Sequence, residues 1–187
     1  MKATQQQIHR KALARLRMAR DRIARADYAS AIAFLRSALR QLEKDPGSSF
    51  DRALCYIELA RCHNLQGDHE MAVTYAQWAK NLLRREWNSA LALADANLEL
   101  GTALVRLGDL QSAQRHLASA YETVSARGAW AKAGACLENI GLLAKQQEQI
   151  VRAINALNAA KRMYRQVEDV AGVLRTDHHL RELIPKE

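Results

Sequence analysis

The chain contains little that would interrupt a helix. Two prolines and eight glycines are spread over 187 residues, and valine and isoleucine are sparse beside alanine, leucine, arginine, glutamine and glutamate. No segment alternates apolar and polar residues between turn signals, which excludes a sheet protein. Aromatic residues make up only 5% of the chain, so a core must be built mainly from alanine and leucine. The three cysteines, Cys55, Cys62 and Cys136, are odd in number and lack a spacing framework, which excludes a disulfide scaffold. Cys55 and Cys62 stand on one expected helix about 10 Å apart along its axis, too far to bridge. The longest apolar runs, such as Ser89 to Ala96 with its Asp95, fall far short of the roughly 20 residues needed to cross a bilayer. The opening residues MKATQQQIHRKALARLR carry charges throughout and resemble no secretory signal, so the expected location is cytoplasmic.

Charge of one sign is concentrated at one end. Residues 1–25 hold Lys2, Arg10, Lys11, Arg15, Arg17, Arg20, Arg22 and Arg25 against Asp21 alone, so this stretch carries seven of the formal +8 charges. The excess is therefore a property of one helix, which presents either a solvated face or a contact for an acidic partner.

What the chain does have is a repeat. Ala31, Ala72, Ala113 and Ala153 recur at steps of 41, 41 and 40 residues. Twelve residues before each stand Ala19, Ala60, Gly101 and Gly141; seven after stand Ala38, Ala79, Ala120 and Ala160; four after stand Leu35, Ala76, Leu117 and Leu157. Small residues at fixed places mean close helix approach. Between them lie Ala26-Asp27, Gly67-Asp68 and Gly108-Asp109, where glycine suits a left-handed helix end and aspartate the next N-cap. The fourth unit has Glu148-Gln149 instead, which predicts a less sharp turn there. Asp45-Pro46-Gly47-Ser48-Ser49, Arg127-Gly128 and Glu168-Asp169 read as breaks between units.

The expected helices run over 5–25, 28–44, 50–66, 69–85, 88–107, 110–126, 129–146, 149–166 and 169–183. The fold class is all-α: repeats over 5–44, 50–85, 88–126 and 129–166 form four helix pairs, and 169–183 forms a C-terminal capping helix, within one domain spanning 1–187. Each hairpin is amphipathic and cannot hide its apolar face alone, so the pairs must stack.

Leu59-Ala60 with Gly67-Asp68 through Ala72 and Ala79, and Leu100-Gly101 with Gly108-Asp109 through Ala113 and Ala120, resemble tetratricopeptide repeats. HEAT repeats share the period, but the Gly-Asp turn and the two small residues seven apart favour the tetratricopeptide family. The period near 41 departs from that family's 34-residue form. The large aromatic early in the first helix is present only as Tyr56, and no unit has the proline that ends the second helix. These features resemble the long-helix branch found in kinesin light chains, in peptide-sensing regulators of Gram-positive bacteria and in sensor domains of large bacterial activators. The resemblance implies a right-handed α-α superhelix whose first helices line a concave surface.

Repeat spacing picks out candidates on that surface. One column is Arg17, Glu58, Glu99 and Asn139; a second, three residues on, is Arg20, Arg61, Thr102 and Leu142; a patch near the turns holds Asn64, Arg106, Lys145 and Gln146. The resemblance implies that such grooves hold extended peptides. Asn64 and Asn139 offer donor and acceptor to a peptide unit, and Arg17, Arg20 and Arg61 suit acidic side chains, although Arg61 can also pair with Glu58 on its own helix. The lysine and asparagine clamp of chaperone-binding members is not reproduced, because Glu58 and Glu99 occupy the corresponding faces.

Other chemistry is not assembled in the sequence. His9, His63, His69, His116, His178 and His179 are dispersed, with no zinc spacing, so no metal or other cofactor is expected. Cys55 and Cys136 read as small buried residues, and Phe50, Trp87 and Trp130 as aromatics packed on the preceding unit. No phosphate loop, dinucleotide fingerprint or hydrolase elbow is present. The expected function is a non-enzymatic scaffold or adaptor that binds a peptide or protein segment on its concave face. One alternative is a regulatory sensor for a signalling peptide or small effector. A lesser one is nucleic-acid binding by the basic first helix, against which no aromatic is interleaved with its charges and Ile8, Ala12, Leu16, Ala19 and Ile23 bind it to the stack. Monomer is favoured over homodimer.

Overall fold

The computed structural model describes residues 2–45, 47–86 and 89–183, so Trp87 and Pro46 lie outside the described residues. Among these residues all regular structure is helical: α1 (Lys2–Ala24), α2 (Tyr28–Leu42), α3 (Ser49–Gln66), α4 (His69–Leu83), α5 (Ala90–Leu107), α6 (Leu110–Ala126), α7 (Trp130–Gln146), α8 (Ile150–Gln166) and α9 (Val170–Leu183). Each helix packs on the next. The odd-numbered helices also pack on one another across a unit, α1 on α3, α3 on α5, α5 on α7 and α7 on α9. No two even-numbered helices bring their Cα atoms within 8 Å among the described residues. That asymmetry bends the stack, with the odd helices on the inside.

The packing follows from the small residues. Ala19, Ala31, Ala38, Ala60, Ala72, Ala79, Ala113, Ala120, Ala153 and Ala160 have no exposed surface, and Leu35, Leu117 and Leu157 fill the space between them. At Gly101 and Gly141 the fit is closest: a Cβ on either would stand 2.7 Å from the Cγ of Leu117 or Leu157. Cys55, Cys62 and Cys136 are free thiols in this core. Tyr56 packs in α3 against Tyr75 and edge-on to Trp78 of α4. Phe50 and Trp130 are 38% and 37% exposed, so each buries more than half of its surface.

The turns within units have one geometry. Gly67 and Gly108 adopt φ of 84° and 85°. Asp27, Asp68 and Asp109 each accept a hydrogen bond from the backbone N–H three residues on. The Glu148-Gln149 turn is not less sharp, contrary to expectation. Glu148 adopts φ 59° without being glycine, and the Gln149 N–H reaches the Ala144 carbonyl at 2.9 Å, as the Asp68 N–H reaches His63. Close packing of α7 on α8 sets this turn, and the backbone closes it without the side-chain cap. Between units, the Ser48 hydroxyl donates to the Leu42 carbonyl and that of Ser89 to the Leu83 carbonyl, which ties α3 to α2 and α5 to α4.

Candidate binding groove

The inner faces of α1, α3, α5, α7 and α9 enclose a groove of about 760 Å³. Its walls carry Arg20, Glu58, Arg61, Asn64, Glu99, Thr102, Arg106 and Asn139, the greater part of the set picked out by repeat spacing. Leu142 lines it too, and three of that set, Arg17, Lys145 and Gln146, stand elsewhere. Arg17 is exposed and does not line the groove, and Lys145 is bonded to Glu182 of α9 at 2.9 Å.

The reason for the Arg17 correction is a slip between neighbouring first helices. Along the groove, side chains that meet across units are 35–38 and not 41 residues apart, although His9 and Asp51 at the outer end pair over 42. Arg20 Nε donates to Glu58 Oε1 at 2.6 Å over a separation of 38. Asn64 Nδ2 donates to the Glu99 carbonyl and to its Oε2, both at 2.9 Å, over 35. Lys132 Nζ donates to Asp95 Oδ2 at 2.6 Å and Arg175 Nε to Glu138 Oε1 at 3.3 Å, each over 37. Consecutive first helices are therefore offset by about one turn. Glu58 lies level with Arg20, so Arg20 and not Arg17 meets it.

The asparagines are also more committed than spacing implies. Both donor bonds of Asn64 go to Glu99, and its Oδ1 faces His69 Nδ1 at 3.3 Å. Asn139 Nδ2 donates to Ala135 of its own helix, as the Thr102 hydroxyl does to Leu98. The arginines face carboxylates of the protein itself: Arg61 stands 4.0 Å from Glu58 Oε2, in addition to the Arg20 bond.

The charges are sorted by depth. Glu58 and Glu138 are buried, whereas the side chains of Arg20, Arg61 and Arg175 are more than half exposed. Burial pushes the Glu99 carboxyl up to about 7, opposed by the Asn64 hydrogen bond and Arg61 and reinforced by Glu58 and Asp95. Burial likewise raises Asp95, with Lys132 holding it back. At the far end Tyr164 donates its hydroxyl to Glu138 Oε2 at 2.6 Å, and burial followed by the Glu138 charge raises the phenol above its ordinary value. The Tyr164 ring lies over Gly134 and Gly172, so α9 closes the groove there.

Asp95, Lys132, Glu138, Tyr164, Arg175 and His179 line this groove and were absent from the set chosen by spacing. Asp95 had a signal: it interrupts an apolar run one helical turn before Glu99. Glu138, adjacent to Asn139, was masked by the strict repeat period. The basic α1 is partly neutralised within the fold, since Arg20 pairs with Glu58 at 2.6 Å and Arg22 with Asp27 at 3.3 Å, and Arg15 donates to the neutral Gln41 amide at 2.7 Å. No helix among the described residues is long and apolar enough to cross a membrane.

Comparison with known proteins agrees with this architecture. Residues 10–85 match the tetratricopeptide repeat family model. No curated protein sequence matches the chain. Among solved structures, aspartyl phosphate phosphatase F from Bacillus subtilis superposes with a TM-score of 0.73 at 17% identity, over 92% of this chain and 45% of that one. The chain thus spans less than half of that protein's length. BtubC (BKLC) from P. vanneervenii superposes with a TM-score of 0.64 at 14% identity, over 97% of this chain and 92% of its own. At these identities the likeness is one of fold. The chain is thus similar to the tetratricopeptide repeat family over its first two units and shares the helical-repeat fold of these structures throughout.

Proposed function

We propose that the chain is a non-enzymatic scaffold or adaptor whose concave groove binds an extended peptide or protein segment. The observation that carries this reading is the groove itself. Its polar and charged lining comes mainly from the five odd-numbered helices, with His69 of α4 and Tyr164 of α8, while the apolar faces of those helices are consumed in stacking. A long polar trough with apolar patches at Ile57, Leu98 and Leu142 offers a peptide both side-chain pockets and hydrogen-bonding partners along its length.

A second reading, a sensor in which a small effector or signalling peptide shifts the stack, is favoured by the Glu138–Tyr164–Arg175 network, which links the groove wall to α9. A ligand that competes for Glu138 changes how α9 docks, a differential contact of the kind a switch requires.

The experiment is selection from a random peptide library, repeated with Ala135→Trp, which fills the centre of the groove and leaves every charge in place. Peptides that bind the native chain and lose at least tenfold in affinity for Ala135→Trp support groove binding. Equal affinity for both moves the interaction to another surface. Release of α9 protection from amide exchange on binding favours the sensor over the static scaffold.

A further inference from the structure

The groove is acidic at its floor and basic only at its rim. Glu58 of α3 and Asp95 and Glu99 of α5 line it. Each already has one oxygen engaged by the protein: Glu58 Oε1 by Arg20, Asp95 Oδ2 by Lys132 and Glu99 Oε2 by Asn64. The other oxygen of Glu58 is the telling one. Glu58 is 6% exposed, yet its Oε2 is buried without a hydrogen-bond donor, and the Arg61 guanidinium at 4.0 Å stands beyond hydrogen-bond range. A buried carboxylate oxygen lacking a donor is costly, and structures hold such groups where a partner completes them.

From this juxtaposition we infer that Glu58, Asp95 and Glu99 form a receptor for a cationic side chain, an arginine or lysine of the segment bound in the groove. The inference rests on the groove-binding reading above and deepens it.

Three observations converge on a cationic side chain. The Glu58 side chain is 7% and that of Asp95 25% exposed, while those of Arg20, Arg61 and Lys132 are 52%, 54% and 44% exposed, so a group entering from solvent meets the basic rim before the acidic floor. Arg61, with a side chain 54% exposed, can swing out and leave Glu58 Oε2 to a donor that reaches it. Among the described residues no three acidic, histidine or cysteine groups converge closely enough to hold a metal ion. The charge is spread over two helices, which suits a long side chain with several N–H donors better than a compact ion. Arginine fits best, because its planar guanidinium can donate to Glu58 and a second carboxylate together. An acidic ligand side chain would have to leave water for a floor that already carries like charge, which selects against it.

The test uses the whole chain and fluorescently labelled peptides from the library selection, each remade with arginine, lysine, norleucine or glutamate at the position that selection fixes. Affinities are measured against the native chain, Glu58→Gln/Glu99→Gln and, as a second variant that changes a more exposed carboxylate, Asp95→Asn. Thermal melting checks that each is folded. The expected result is at least tenfold tighter binding of the arginine or lysine peptide than of the norleucine peptide, with glutamate weakest. That ratio should collapse toward one in Glu58→Gln/Glu99→Gln and fall severalfold in Asp95→Asn. Binders without a required basic residue, or a ratio unmoved by both variants, overturn the cationic receptor while leaving groove binding intact. If no peptide of any composition distinguishes the native chain from Ala135→Trp, groove binding falls and the receptor with it.

Discussion

Replacing Gly101 by alanine sets two effects of known size against each other. Within a helix, alanine is favoured over glycine by about 1 kcal/mol. Against this, the new Cβ would lie 2.7 Å from Leu117 Cγ, 2.8 Å from its Cδ2 and 3.4 Å from its backbone nitrogen. Leu117 has no exposed surface, and its Cγ can move only by a χ1 change into neighbours already packed around it. Overpacking of this kind costs about 1–3 kcal/mol, so Gly101→Ala should be destabilising by about 0–2 kcal/mol net. The second unit indicates the remedy: at the equivalent positions it carries Ala60 opposite Ala76, both fully buried. Leu117→Ala alone should cost about 2–5 kcal/mol, and combining it with Gly101→Ala should cost less than the sum, because the added methyl enters the space vacated. Urea denaturation of the native chain, both single variants and the double closes the cycle, with an expected favourable coupling of about 1–2 kcal/mol. A stabilised Gly101→Ala together with additive energies would show that α5 and α6 can move apart freely, and the close-approach argument for the whole repeat would fail.

Four further outcomes follow from the same structure. Glu148→Gly should stabilise by about 0.5–1 kcal/mol in thermal or urea melts, since it removes a side chain from φ 59° without disturbing a hydrogen bond of that side chain. The Glu99 carboxyl, raised by burial from its ordinary 4.5 to about 7, binds its proton more tightly folded than unfolded, so its contribution is fully present below pH 4.5 and is lost as pH rises through 7; the melting temperature of the native chain should therefore fall between pH 5.5 and 8.5 more than that of Glu99→Gln. Cys55, Cys62 and Cys136, buried with thiols pushed up to about 12, should resist a thiol reagent in the folded protein and all react in denaturant. Tyr164→Phe removes the hydroxyl that Glu138 accepts from and should cost about 1–3 kcal/mol, with faster amide exchange in α9 as the specific sign that the groove's closed end has loosened.

The fold was legible because its determinants are local and repeated. Ala31, Ala72, Ala113 and Ala153 mark the same packing contact four times, and Gly67-Asp68 and Gly108-Asp109 state both the end of one helix and the start of the next. The turn at Glu148-Gln149 was misread for the opposite reason. No residue there prefers a left-handed backbone, and the geometry is imposed by α7 and α8, which pack as tightly as the other pairs. Local preference is a weak prior where tertiary contacts decide. The groove was half legible. Repeat spacing finds residues that occupy equivalent places in successive units, but a groove is made of residues that face each other across units, and here those are 35–38 apart. A slip of one turn between first helices leaves no trace in any single unit's sequence, so Arg17 was included while Asp95 and Glu138 were passed over.

The slip also explains how a chain with a strongly basic first helix can carry an acidic floor. Because α3 is offset by a turn from α1, Arg20 is brought onto Glu58 and one oxygen of that carboxylate is neutralised. The same offset brings Asn64, a neutral donor, onto Glu99, so that carboxylate is held by hydrogen bonds and not by an ion pair. Glu58 and Asp95 each keep a cationic partner, Arg20 and Lys132, whereas Glu99 is bonded by the neutral Asn64. The formal positive charge of the chain thus says little about its binding surface. Most of that excess belongs to α1, whose exposed residues act at long range and are screened over about 8–10 Å at physiological salt. Buried carboxylates at short range are screened far less. Salt should therefore weaken any contact of α1 with an acidic partner more steeply than it weakens an arginine held by Glu58 and Glu99. Affinity measured against salt for peptides of either charge separates the two surfaces without any substitution.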